Sequence, residues 1–282
     1  MLRKQAINEL ARVRGRNVIC YYSGWMQHDQ PVMDMNITDN DVNGLMNAIC
    51  GMDRSIGLDI VLHTPGGDLG ATEAIVEYLR DCFGNNVCAI VPQLAMSAGT
   101  MIACSCNEII MGRQSSLGPT DPQVYGMAAG GVIEEFNQAV DDVTANPATA
   151  PLWAQIIGKY HPTYLGDCQK AVDMSRDMLG KWLSKNMFEV DPDAKEKTEK
   201  IVGLLCDHSE SAMHNRHFNH EKLESIGLNV TMMEEDDELQ DRIMTLHHHY
   251  MINLHGSPTV KIIESSTGAG WGITIAPMAD LQ

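Results

Sequence analysis

Residues Asp59 to Val91 read DIVLHTPGGDLGATEAIVEYLRDCFGNNVCAIV, and the fold is decided there. Asp59–His63 is a short β-prone run, Ala71 to Phe83 carries apolar residues at helical spacing, and Val87 to Val91 is a second β-prone run. A strand, a helix of ten or so residues and another strand make a βαβ unit, which implies parallel strands. Outward from this unit the alternation continues. Toward the N-terminus, Val18–Tyr22 ends at Ser23-Gly24 as a strand. Thr38-Asp39-Asn40-Asp41 then offers N-cap residues ahead of the stripe Val42, Leu45, Met46 and Ile49. Toward the C-terminus, Ser97 to Cys106 reads as a helix and Glu108–Met111 as a strand. A mostly parallel sheet covered on both faces follows, hence the α/β class.

Beyond Pro122 the pattern changes. Residues 132–250 look almost wholly helical, with one brief extended run at Gly227-Leu228-Asn229-Val230, and Val260–Glu264 with Gly272–Ile275 reads as a terminal β-hairpin. The chain divides into an N-terminal helical arm (1–16), an α/β core (17–125), a helical region (126–250) and the hairpin (251–282). With 37 Asp+Glu against 20 Lys+Arg, the formal net charge of −17 has the wrong sign for a protein that coats itself in phosphates, so nucleic acid is not expected as a partner. Eight cysteines without a CxxC pair point to a reducing compartment, and no long uncharged apolar run predicts a membrane span. A cytoplasmic location is expected.

Three segments carry candidate chemistry: His63–Asp68 (HTPGGD), Ala95–Thr100 (AMSAGT) and Ser116–Gln123 (SLGPTDPQ). Each follows a predicted strand, so in a parallel sheet all three emerge at one carboxyl edge. Ser97 sits between small residues on a strand-to-helix turn, the arrangement that exposes a nucleophilic hydroxyl. The Gly66-Gly67 pair can turn its N–H groups outward, and with the Ala98 N–H it can bind the oxyanion of a tetrahedral intermediate. Taken alone, PGG is an ordinary turn and MSAG an ordinary packing contact; their order along one chain gives them meaning.

The stretches DIVLHTPGG (59–67), VPQLAMSAGT (91–100) and LGPTDPQ (117–123) resemble the Clp-peptidase superfamily, most of all its serine dehydrogenase proteinase branch, related to signal peptide peptidase A. The resemblance is close over residues 14–125 and weaker through Ile226–Val230. It implies a crotonase-like (Clp-peptidase-like) spiral of ββα units, Ser97 as nucleophile, an oxyanion hole from Gly66, Gly67 and Ala98, and a homo-oligomer acting on peptide or unfolded protein. An ATPase partner is left open. The general base is not where the Clp pattern has its histidine, because that stretch reads Gly118–Pro122. Lys170, followed by Ala171, is similar to a lysine-alanine pair of the branch, and Lys159 lies in the same helical stretch. A lysine base requires burial. His214, His217 and His220 offer another route, with His217 and Asp121 forming a rearranged Ser-His-Asp triad.

Three functions compete. The leading one is a serine endopeptidase working through an acyl-enzyme on Ser97, with peptide added as a strand beside the Gly66–Asp68 loop. The others are a catalytically inactive peptide-binding or scaffolding homologue and a crotonase-type acyl-CoA enzyme. No metal-ligand spacing and no lysine-bearing pyridoxal phosphate motif is present in the sequence, so neither a metal nor a cofactor is expected.

Overall fold

The computed structural model describes residues 2–29, 33–206 and 216–275. The chain opens with α1 (Leu2–Arg14), β1 (Asn17–Ser23) and α2 (Asp41–Ile49). It continues through β2 (Leu58–His63), α3 (Leu69–Phe83), β3 (Val87–Val91), the short β4 (Leu94–Ala95), α4 (Ala98–Cys104), β5 (Glu108–Met111) and β6 (Ser116–Leu117). A two-residue-stranded hairpin, β7 (Gln123–Val124) and β8 (Met127–Ala128), leads into α5 (Ala129–Ala145), α6 (Ala150–Ile157), α7 (Tyr164–Lys185) and α8 (Ala194–Cys206). The last elements are α9 (His220–Ser225), β9 (Val230–Met232), α10 (Asp237–His255), β10 (Thr259–Ser265) and β11 (Gly270–Thr274).

Among the described residues, seven strands form the main sheet in the order β11-β10-β1-β2-β3-β5-β9. The five from β1 to β9 run parallel, with Ile19 opposite Ile60, Ile60 opposite Ala89, Ala89 opposite Ile109 and Ile109 opposite Val230. The hairpin expected at the C-terminus is present and is joined antiparallel to β1, with Tyr22 opposite Ile262. The main sheet thus takes strands from the stretches that read as helical and terminal. The His247–His249 run, which reads as a polar helix end, lies inside α10, where the helical repeat turns His247 inward to burial.

Alternation along β2 separates two cores. Ile60 and Leu62 face a cluster with Leu45, Ile75, Met101 and Trp182, covered by α2, α3, α4, α7 and α8. Val61 faces the other cluster, with Ile7 and Leu10 of α1 and Ile243, Leu246 and Tyr250 of α10. Burial on both faces is why these strands read as continuous apolar runs rather than alternating ones. The parallel order brings the three motif loops to one edge of the sheet, on the α3 and α4 side.

Candidate active site

The glycine loop and the serine turn are tied together through Thr64. Its N–H donates to Leu94 O at 3.1 Å, its carbonyl accepts from Met96 N at 3.0 Å, and its Oγ1 accepts from Gly66 N at 3.1 Å. β4 pairs in turn with β6, Ala95 standing opposite Leu117, and Thr100 Oγ1 donates to Ala95 O at 2.8 Å while accepting from Gly118 N at 3.0 Å. All three loops are therefore fixed by backbone pairing and by the Thr64 and Thr100 hydroxyls. At Ser97 the backbone takes φ of +52°, a left-handed conformation that costs a non-glycine residue about 1–3 kcal/mol and is concentrated at functional sites.

Gly66, at φ +98°, approaches this turn so closely that a Cβ there would stand 2.7 Å from both Met96 O and Ser97 Cβ. No side chain fits between the loop and the serine. Ile37 forms a parallel bridge with Gly67, donating its N–H to Gly66 O at 2.8 Å and accepting from Asp68 N at 3.0 Å. In extended backbone, successive N–H groups point to opposite sides. The Gly67 N–H therefore points away from Ile37. Ala98 begins α4, and its N–H is one that the helix itself leaves unused. By contrast the Gly66 N–H is committed to Thr64. Of the three expected oxyanion donors, Gly67 and Ala98 have an N–H that donates to no partner among the described residues.

Ser97 opens on a cleft of about 330 Å³ lined by Asn36, the Pro65–Leu69 loop, Thr120, Pro122 and Gln123. The helical region reaches the site through Thr120, whose N–H donates to Leu205 O at 2.7 Å and whose carbonyl accepts from Ser175 Oγ at 2.8 Å. Asp121 is buried, 1% exposed, while its two neighbours in sequence face the cleft. Ile37 occupies one edge of the Gly66–Asp68 loop. A peptide strand added beside the loop would therefore pair on the side away from Ile37.

None of the expected bases lines the cleft. The Lys170 side chain is 82% exposed on α7, with Nζ 3.7 Å from Asp167 Oδ1, and it borders a shallow groove with Glu73 and Met174. Burial, the condition for a lysine base, is missing because α7 turns this position to solvent. Lys159 is exposed in the turn after α6. His217 is exposed too, but its neighbour Phe218 exchanges hydrogen bonds with Leu117, N–H to O at 2.8 Å and O to N–H at 3.1 Å, which holds this segment against the third motif loop. His214 lies outside the described residues.

The histidine next to the glycine loop in sequence faces the wrong way. His63 is fully buried on the α10 side, its ring 4.3 Å from Trp25, 5.3 Å from His247 and 5.6 Å from Tyr22 between centroids. Neither ring nitrogen has a hydrogen-bond partner among the described residues. Burial, and then the charge of His247, push its pKa from 6.5 down to about 3, so it is neutral at pH 7. Sequence reasoning missed Asn36 and Ile37, which follow no strand and carry no motif. No cluster of three or more His, Cys, Asp or Glu suited to a metal occurs among the described residues, and none of their helices is long and apolar enough to cross a membrane.

A model of the ClpP-like SDH-type serine proteinase family matches residues 1–267. Two uncharacterized proteins of Methanocaldococcus jannaschii are similar to this chain. One is 31% identical over 151 residues, 51% of this chain and 50% of its own; the other is 34% identical over 102 residues, 36% and 35% respectively. The matches thus span about half the length of the first relative and about a third of the second. Among solved structures, a mutant of the 1510-N membrane-bound stomatin-specific protease aligns with 73% of this chain and 79% of its own, at 17% identity and a TM-score of 0.42.

Proposed function

The chain belongs to the ClpP-like SDH-type serine proteinases, and on that premise we propose that it is a serine endopeptidase that cleaves extended peptides through an acyl-enzyme on Ser97. One observation carries the proposal: Ser97 is held at positive φ over a cleft into which the glycine loop comes too close for any side chain. In this reading Ser97 Oγ attacks the scissile carbonyl carbon and its proton passes to a base. The Gly67 and Ala98 N–H groups donate to the new oxyanion. Collapse of the intermediate breaks the C–N bond, the amine leaves with the proton, and water then hydrolyses the ester. Peptide lies on the side of the loop away from Ile37.

The base in this reading is His217, favoured by the pairing of Phe218 with Leu117, which holds its segment against the third motif loop. A second reading, a peptide-binding homologue without turnover, is favoured by the absence of lysine and histidine among the described residues that line the cleft. Cleavage of a denatured protein substrate by the wild type and by Ser97→Ala separates the two. The peptidase reading expects a loss of about 10⁴-fold or more with unchanged folding, whereas equal rates, or no cleavage by either protein, contradict it. Assembly into a homo-oligomer belongs to the same proposal, and a chain that stays a monomer at micromolar concentration by light scattering contradicts that part.

A further inference from the structure

A buried ion pair stands behind the glycine loop. Lys261 of β10 is 0% exposed, and its ammonium donates to Asp41 Oδ1 at 2.7 Å, to Asp41 Oδ2 at 2.9 Å and to Asn36 O at 2.6 Å. Asp41, also 0% exposed, accepts from Thr38 N at 3.0 Å and from Tyr21 OH at 2.6 Å through Oδ2. Opposite Lys261 in the sheet register stands Ser23, whose Oγ donates to Met35 O at 2.7 Å. Met35, Asn36 and Thr38 are thus each gripped by a buried polar group. Ile37, between them, is the residue whose N–H and carbonyl clamp Gly66 and Asp68.

A buried ion pair is a poor stabiliser, because desolvation of both charges offsets most of their attraction, and apolar replacements of similar volume are often as stable. What such a pair supplies is a single geometry. Here the geometry is that of the 35–38 segment, whose one bridge residue, Ile37, sets the direction of the Gly67 N–H. An apolar pair would pack the same space without gripping Asn36 O or Thr38 N. We propose that Lys261 and Asp41 are positioning residues, which hold the 35–38 segment so that Ile37 aims the Gly67 N–H at the carbonyl attacked by Ser97. This rests on the peptidase reading, and neither residue touches substrate.

The test uses the full chain carrying Lys261→Met together with Asp41→Leu, a replacement that leaves no unpaired buried charge, and compares it with the wild type well below either melting temperature. Amide hydrogen exchange at Ile37 and Asp68 is expected to quicken by ~10-fold or more while that of Leu246 in the opposite core stays unchanged. Labelling of Ser97 by a fluorophosphonate, and kcat for peptide, are expected to fall by ~10–100-fold at nearly constant KM. Ile37 and Asp68 exchange equal to wild type overturns the proposal, as does normal kcat in the folded double variant. Failure of the peptidase reading looks different: Ser97 of the wild type goes unlabelled, and the exchange comparison still decides whether the ion pair holds the loop. If the double variant does not fold, Lys261→Arg, which keeps the charge but moves the donors, is measured the same way, and exchange and kcat both equal to wild type overturn the proposal.

Discussion

At the end of β2 two consecutive residues serve opposite sides of the molecule. Thr64 builds the cleft, joining the glycine loop to the serine turn with three hydrogen bonds. His63, one residue earlier, is sealed in an aromatic cage against α10, on the far face of the sheet from α4. The histidine is the side chain chemists would choose first, and the wall of the sheet makes it useless to Ser97. On the working side the parts are mainly backbone groups aimed by glycine, by a strained serine and by the bridge from Ile37. Proximity in sequence to a catalytic loop therefore says little about reach; the face does.

The largest difference between the two faces is expected from their histidines. His217→Ala is expected to lower kcat by ~10²–10⁴-fold, while His63→Phe cleaves peptide at pH 7.5 within about twofold of wild type. A loss confined to the His63 variant, measured by steady-state kinetics, would show that the two faces communicate.

Next in size is the backbone itself. A Cβ on Gly67 would stand 2.3 Å from both Ile37 N and Ile37 O, so Gly67→Ala must push the loop off its clamp. Turnover is expected to fall by ~10²–10³-fold, the effect of losing one oxyanion donor, with the far-UV circular dichroism retained. Wild-type turnover in this variant would remove Gly67 from the mechanism.

Stability against pH sharpens the comparison from the sealed side. Burial pushes His63 down to about 3, and burial followed by the His248 charge pushes His247 down to about 4, both from 6.5. Between those values and 6.5 the unfolded chain binds protons that the folded chain refuses, so stability is full above pH 6.5 and is lost as pH falls, by up to about 1.4 kcal/mol per pH unit for each histidine. Glu264 adds to the loss at lower pH. Burial acts to raise its pKa, but the hydrogen bond and charge of Arg3 outweigh this and hold it below 4.5. Its share is lost only as pH drops below that value. Chemical denaturation of His63→Phe from pH 7 to 4.5 should show about half the wild-type slope, and an unchanged slope would mean that the cage opens to water.

The smallest effects belong to the exposed lysines. Lys159→Ala and Lys170→Ala are expected to retain turnover within about twofold, since neither side chain lines the cleft. A large loss in Lys170→Ala would instead place a second copy of the chain over α7.

How much of this was legible in the sequence follows from the physics of each part. The strands of the core and the serine turn declare themselves, because continuous apolar runs, paired glycines and a serine flanked by small residues are local demands of backbone geometry. The clamp from Ile37 is invisible, since a parallel bridge between residues 30 positions apart leaves no local mark. Lys261 left a faint one: a lysine inside the apolar run Val260–Ile263 needs a buried partner, but only the fold says that it is Asp41, which reads as a helix cap. The base was the least legible part. A lysine on a helix looks the same in sequence whether it faces a cleft or water, and α7 turns Lys170 to water.

In the peptidase reading, covalent chemistry happens at the Ser97 turn and not at the sealed histidine behind it. Treatment of the wild-type protein with a fluorophosphonate, followed by proteolytic digestion and mass spectrometry, tests it directly. A single adduct is expected on the peptide carrying Ser97, absent from Ser97→Ala. An adduct on a different serine, or an unlabelled Ser97 in protein that is folded, would contradict it.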